Sequence, residues 1–270
     1  MRRTRAMSRH AVLGALAAIC VLTAVPAMAQ TRSSVEEITK RGVIKVGWGI
    51  WYPYMYRDPK NQQLAGITID VFNAMGRDMG VKVEYVEDGW ATIVAGLQAG
   101  KFDLTMPIAI TPQRAQVVGY TKPITKINFG FMVPKKEIAK YKSWQDVDKA
   151  GKKIVTTLGS SNQPVAEQNI KNAQMMYVRT APDSITQVLN GAADAWLSPL
   201  DSFAFVQKEH PDLAIVPGPA IASQQVSFAV RQGDAPLETW VSRWVERIKG
   251  SGELVKIIEK YGLDQTYVAD

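Results

Sequence analysis

The chain has 270 residues, 32 Lys plus Arg against 25 Asp plus Glu, two histidines and one cysteine, for a formal net charge of +7. One cysteine excludes an internal disulfide, and of the two histidines only His210 lies beyond residue 29, at what reads as a surface helix end, which argues against a histidine triad or a zinc cluster. The charge is front-loaded: Arg2, Arg3, Arg5 and Arg9 stand in 1–29 with no acid, and the remainder carries +3 with no basic stripe to argue for nucleic acid.

Behind that cationic head, Ala11 to Val25 is an apolar run of signal-peptide length, and Ala27-Met28-Ala29 is a small-x-small cleavage site. Residues 1–29 are therefore expected to be a cleaved signal peptide, leaving 241 residues from Gln30. The run is too short for a transmembrane anchor. Cys20 lies inside it rather than closing it, which argues against lipid attachment, and both Cys20 and His10 leave with the peptide. His210, in Lys208-Glu209-His210-Pro211, reads as a surface helix end.

The mature part alternates strands and amphipathic helices. Val43 to Val46, Val81 to Val86 and Leu104 to Ile108 read as strands. Asp70 is expected to cap a helix with Val71, Phe72, Met75 and Met79 on its apolar face, ended by Gly80. Ala91 to Ala99 reads as a second helix. A new series starts after Pro134: strand Lys153 to Thr157, helix Pro164 to Asn172, strand Met176 to Val178, helix Ser184 to Asn190, strand Ala195 to Leu197. Val226 to Asp234 is a strand and turn, and helices over Leu237 to Lys249 and Glu253 to Tyr261 close the chain. Such alternation implies α/β sheets with crossover helices, and the length suits two lobes of roughly 100 residues each.

The two series share a phrase. Gly100-Lys101-Phe102-Asp103 and Gly191-Ala192-Ala193-Asp194 each link a helix end to an apolar strand. This is either a structural repeat or convergent turn chemistry, since glycine ends helices in many settings. Two similar lobes would leave a cleft at the carboxyl ends of their strands.

The stretch Asp103 to Arg114 carries the strongest chemical signal. An apolar run, Leu104 to Ile110, meets Thr111 as an N-cap and Pro112 as first helical residue. Arg114 then falls in the first turn, where a positive charge opposes the helix dipole, so a bound anion is expected beside it. A carboxylate suits a guanidinium, which grips it through two parallel hydrogen bonds. A solvated surface arginine is the alternative from this stretch alone.

The chain resembles the family 3 periplasmic solute-binding proteins of polar amino-acid ABC transporters. The resemblance rests on Gly66-Ile67-Thr68-Ile69-Asp70-Val71, Leu97 to Asp103, Ile110 to Arg114, Leu158-Gly159-Ser160-Ser161, Gly191 to Ala195, Phe228 to Asp234 and Gly252 to Gly262, in the family's order. It implies an α/β fold of two lobes joined by two hinge strands with the ligand cleft between them. Lobe 1 would be 38–131 plus 226–270 and lobe 2 132–225, crossing near Pro134 and Ser223-Gln224-Gln225. It also implies a periplasmic, monomeric protein with no cofactor or metal, closing on a small carboxylate ligand and serving an inner-membrane ABC permease.

By the same resemblance Arg114 clamps the ligand carboxylate, and Ser160 and Ser161 meet it at a helix start, where free N–H groups attract anions. Trp51 or Tyr52 stacks on one face of the ligand and Trp90 covers the other, although Trp90 also suits core packing. Two positions depart from the family: Ala109 replaces a Ser or Thr, and Pro199 stands where an Asp would pair with a ligand amine. The backbone near Pro107, or Asp201, would then have to serve that amine, or the ligand is an organic acid or substituted amine. The competing classes are a dehydratase of a cyclic carboxylate on the same scaffold, with Asp88, Glu87 or Asp201 as its acid or base, and a ligand sensor.

Overall fold

The structure, a computed structural model, describes residues 34–269, so the expected signal peptide and its cleavage site lie outside the described residues. In chain order the elements are α1 (Ser34–Arg41), β1 (Val43–Trp48), β2 (Tyr56–Arg57), β3 (Leu64–Ala65), α2 (Ile67–Met79), β4 (Lys82–Glu87), α3 (Ile93–Gln98), β5 (Leu104–Thr105), β6 (Ile108–Ala109), α4 (Pro112–Ala115), β7 (Val118–Tyr120) and β8 (Thr125–Pro134). Then come β9 (Lys153–Thr157), α5 (Asn162–Asn169), β10 (Gln174–Val178), α6 (Ala181–Leu189), β11 (Ala195–Pro199), α7 (Leu200–Glu209), β12 (Leu213–Ile215), β13 (Ala222–Ser227), β14 (Ala229–Arg231), α8 (Ala235–Gly250) and α9 (Glu253–Glu259).

Two mixed sheets result. One has the order β4-β1-β5-β14-β7; the other has β10-β9-β11-β8-β13-β6, with β12 paired to β8. The run β1–α2–β4–α3–β5 and the run β9–α5–β10–α6–β11 have the same topology. In each, the first strand lies parallel between the second and the third.

The shared phrase marks the same joint in both. Gly100 and Gly191 adopt left-handed φ of 72° and 78°, which glycine alone enters without a Cβ penalty. The Lys45 N–H donates to Asp103 Oδ2 at 2.7 Å while the Asp103 N–H donates to the Lys45 carbonyl at 2.9 Å. In the other run the Lys153 N–H donates to Asp194 Oδ2 at 2.8 Å and the Asp194 N–H to the Lys153 carbonyl at 2.8 Å. A cation flanks each aspartate, Arg41 at 2.5 Å and Lys152 at 2.8 Å. The phrase is a structural repeat, not merely common turn chemistry.

Among the described residues two apolar clusters fill the interior, the larger running through both sheets and the smaller lying within the second half. In the first, Phe72 of α2 packs edge-on against Phe228 at 5.4 Å over the face of Ile44, Val46 and Leu104. In the second, Trp196 meets Phe203 at 5.1 Å beside Val155 and Met132. Gly80 stops α2 as expected, with φ 72°. Asp70, expected as its cap, lies inside the first turn instead; the chain enters at Gly66, whose φ of 122° and close approach to the Tyr54 carbonyl suit glycine.

The largest departure from expectation is the apolar run Leu104 to Ile110. It is not one strand. Leu104 and Thr105 belong to the first sheet, whereas Ile108 and Ala109 pair with Ser227 and Val226 of β13 in the second. The switch falls at Met106-Pro107, where proline has no N–H to continue a ladder. β8 and β13 pair antiparallel from Thr125–Val226 to Phe129–Ala222, and β14 comes directly after β13 in the first sheet. These paired strands join the halves. Pro134 lies at the far end of β8, opposite Leu213. Among the described residues no helix is long and apolar enough to cross a membrane.

Candidate functional site

Because β6 is hydrogen-bonded to the joining strand β13, the turn and helix after β6 are delivered to the boundary between the two halves. Thr111 is extended and its hydroxyl accepts from the Arg114 N–H at 3.3 Å, with Pro112 opening α4. The cap expectation holds, but the dipole argument does not. The helix is a single turn, so Arg114 sits in its last turn as much as its first.

The Arg114 side chain turns inward and is 8% exposed. Its Nη1 donates to the Ala109 carbonyl at 3.2 Å, and its Nη2 donates across the boundary to the Gly159 carbonyl at 3.0 Å. The Trp90 ring centroid is 6.0 Å from the guanidinium carbon. Burial lowers the Arg114 pKa, with Tyr120 opposing the shift. Among the described residues no carboxylate stands within ion-pair distance of it. A buried cation held only by neutral carbonyls lacks its natural counter-charge.

The boundary is shut on two sides of a cavity. On one, Arg114 reaches Gly159, and Gly159 lies so close to the Ala91 backbone that a Cβ there would sit 2.4 Å from Ala91 Cα. On the other, the Trp51 Nε1–H donates to Ser202 Oγ at 3.1 Å, Ser202 Oγ–H donates to the Tyr52 carbonyl at 2.7 Å, and Tyr52 stacks on Phe205 at 5.2 Å. About 40 Å³ of room remains between them. That is enough for a few waters, since one needs about 10–15 Å³.

Of the residues expected at the site, Trp51, Tyr52, Trp90, Ala109, Ser160 and Ser161 line this cavity. Arg114 lies just outside it, lining an adjoining cavity of about 340 Å³ that shares Trp90 and Ser160. Pro107 and Asp201 line neither. Trp51 stacks on Tyr54 at 3.8 Å and meets Trp90 edge-on at 6.4 Å, while the Trp90 Nε1–H donates to the Ile50 carbonyl at 2.9 Å. Trp90 is half-buried, part wall and part core.

Ser160 and Ser161 precede α5, which starts at Asn162. Ser160 Oγ–H donates to the Thr157 carbonyl at 2.7 Å and accepts from the Asn162 N–H at 3.2 Å. The Ser161 side chain makes no capping bond, so its hydroxyl remains available beside the helix start. Sequence reasoning missed Gly159, Thr157, Asn162, Ser198 and Ser202. Only Gly159 carried a signal, as the glycine before Ser160-Ser161.

Two of the three candidate acids are paired elsewhere, and the third is buried with one oxygen unpartnered among the described residues. Glu87 is paired to Arg57 at 2.6 Å on the surface. Asp88 is partly desolvated, but Thr92, the Gly89 N–H and Lys101 hold its carboxyl below the usual range. Asp201 is 1% exposed and packs behind the cavity wall beside Tyr54; burial pushes it up to about 7, against Tyr54 and the Ser202 N–H. Its Oδ1 accepts from that N–H at 2.7 Å, while Oδ2 and the Tyr54 hydroxyl have no hydrogen-bond partner of good geometry among the described residues.

With this geometry in place, comparison with known proteins is direct. The sequence profile of the bacterial extracellular solute-binding proteins, family 3, matches residues 44–264. The chain belongs to that family. It is 26% identical over 210 residues to a probable amino-acid ABC transporter periplasmic-binding protein of Sinorhizobium fredii, covering 76% of this chain and 70% of the relative. It is 24% identical over 259 residues to the cyclohexadienyl dehydratase of Pseudomonas aeruginosa, covering 94% of each. The crystal structure of an ancestral amino acid-binding protein, a precursor of cyclohexadienyl dehydratase, superposes with a TM-score of 0.79 at 30% identity, covering 85% of this chain and 99% of that one. The two-lobed periplasmic binding protein fold is thus shared by this family member.

The closure contact and the buried acid of this solute-binding protein can each be tested. Gly159→Ala places a methyl into the Ala91 backbone and should hold the two halves apart at this contact. Ligand affinity should fall at least tenfold in calorimetry, with a stability loss of only about 1–2 kcal/mol from the left-handed φ; unchanged affinity would mean that this contact does not limit closure. Asp201, raised in the folded state, keeps its proton up to about pH 7, while in the unfolded chain it loses it near pH 4. The unfolded state therefore binds fewer protons between those values, and this residue's contribution to stability falls as pH rises through them. Asp201→Asn should raise the melting temperature at pH 8 and change it little at pH 4.

Proposed function

We propose that this family member is a non-enzymatic substrate-binding component of an ABC importer, which closes its lobes on an amino acid or related small carboxylate and delivers it to the membrane permease. The observation that carries the reading is Arg114: a guanidinium buried at the lobe boundary, hydrogen-bonded to both halves, with no carboxylate beside it among the described residues. A ligand carboxylate would supply the missing charge through the guanidinium N–H groups that the two carbonyls leave over, and the Ser161 hydroxyl stands close to the same helix start. Trp51 and Trp90 would form the apolar walls.

The small room between the closed halves fits this reading, because anything larger than a few waters requires the lobes to part and close again. We propose lobe 1 as 38–131 plus 226–270 and lobe 2 as 132–225, with the paired stretch of β8 and β13 as the hinge and 1–29 as an export signal. The relative that is a dehydratase raises the enzyme alternative, yet none of Glu87, Asp88 and Asp201 lines the cavity, which favours binding over acid–base chemistry there.

Native mass spectrometry of protein purified from its host should show a co-purifying compound bearing a carboxylate. Arg114→Ala should weaken its binding by about 2–5 kcal/mol in calorimetry, because the partner charge is left buried and unmatched. The stability of the ligand-free fold should change little, since the hydrogen bond lost at the Gly159 carbonyl is offset by removal of an uncompensated buried charge. Unchanged affinity would remove Arg114 from the site.

A further inference from the structure

The polar inventory of the cavity bears on which carboxylates it accepts. Its lining combines aromatic and aliphatic side chains with the hydroxyls of Thr157, Ser160, Ser161 and Ser198 and the Asn162 amide; none of the lining residues carries a charge. An α-ammonium group brings a full positive charge into such a space; the hydroxyls can accept its N–H bonds, but no lining residue supplies an opposite charge.

The most obvious backbone acceptor is already full. The Ala109 carbonyl borders the cavity, and its two lone pairs receive Arg114 Nη1 at 3.2 Å and the Tyr120 hydroxyl at 3.1 Å. The Ala109 side chain is a methyl, and Pro199 presents a ring with no donor or acceptor of its own. Asp201, the carboxylate nearest in sequence, does not line the cavity; it is buried, with Oδ1 accepting from the Ser202 N–H and Oδ2 without a hydrogen-bond partner among the described residues. The neighbouring cavity does contain Glu167, but on the Arg114 side, where Gln163 Nε2 donates to it at 2.9 Å.

From this arrangement we infer, resting on the carboxylate-binding reading above, that the preferred ligand is a small organic acid without an α-ammonium group, such as a 2-oxo, 2-hydroxy or simple carboxylic acid. The carboxylate meets Arg114 and the start of α5. The position next to it meets hydroxyl donors and apolar walls, which suit a carbonyl, a hydroxyl or a methylene. The hydroxyls of Ser161 and Ser198 make no hydrogen bond among the described residues, so they can donate to a 2-oxo oxygen as readily as accept from a hydroxyl.

The test uses matched pairs that differ only at the second carbon. L-alanine is compared with pyruvate and L-lactate, L-leucine with 4-methyl-2-oxopentanoate, L-glutamate with 2-oxoglutarate, and L-phenylalanine with 3-phenylpropanoate, by thermal shift and then calorimetry on the mature chain. The expected result is at least tenfold tighter binding of the amine-free member in every pair that binds. Pro199→Asp, which adds an acid to the wall, should reverse that order in favour of the amino acid. An amino acid binding as tightly as its partner, with affinity still lost in Arg114→Ala, would overturn this inference and leave the carboxylate site standing. Amine-free acids binding equally well to wild type and Arg114→Ala would overturn the carboxylate site and the inference together.

Discussion

The arrangement turns on one unbalanced charge. Arg114 is taken out of water at the boundary between two halves and, among the described residues, is met by the carbonyls of Ala109 and Gly159 and the ring of Trp90 but by no carboxylate. Neutral carbonyls satisfy hydrogen bonds but do not cancel a buried cation, so the closed state is electrostatically incomplete. On the function proposed above, closure without an anion would be penalised, and closure around one rewarded by the differential affinity of the ligand for the two states.

The fold delivers that charge by an unusual route. The chain leaves the first sheet at Met106-Pro107, joins the second for Ile108 and Ala109, and is pinned there by the joining strand β13. Thr111 and Pro112 then turn it through a single helical turn that ends at Ala115. The opposing surface comes from the repeated β–α–β–α–β unit, whose β9 runs into Gly159 and the Ser160-Ser161 helix start. Gly159 allows the halves to approach to backbone distance, and Ser202 ties Trp51 and Tyr52 on the far side.

Much of this was legible from residue patterns. Helix stops at Gly80 and Gly191, the Thr111 cap and the Gly-x-x-Asp joint are local chemistry, and local chemistry reads through. The run Leu104 to Ile110 misled because an unbroken apolar stretch has no period to reveal that it changes sheets. Asp70 misled because an acid in a first turn and an acid at a cap look alike in sequence. At the site, the wall residues Trp51, Tyr52 and Trp90 were found through resemblance. The positions of Arg114 outside the cavity, Asp201 behind it and Gly159 across the boundary depend on how the halves meet, which no single segment encodes.

The central claim is that a ligand carboxylate completes Arg114. The most direct measurement is a crystal structure of the protein with the compound it carries from its host. The account predicts a carboxylate within about 3 Å of the Arg114 guanidinium and the Ser161 hydroxyl, between closed lobes. A ligand seated in the cavity with its carboxylate turned away, and Arg114 still bonded only to Ala109 and Gly159, would contradict it.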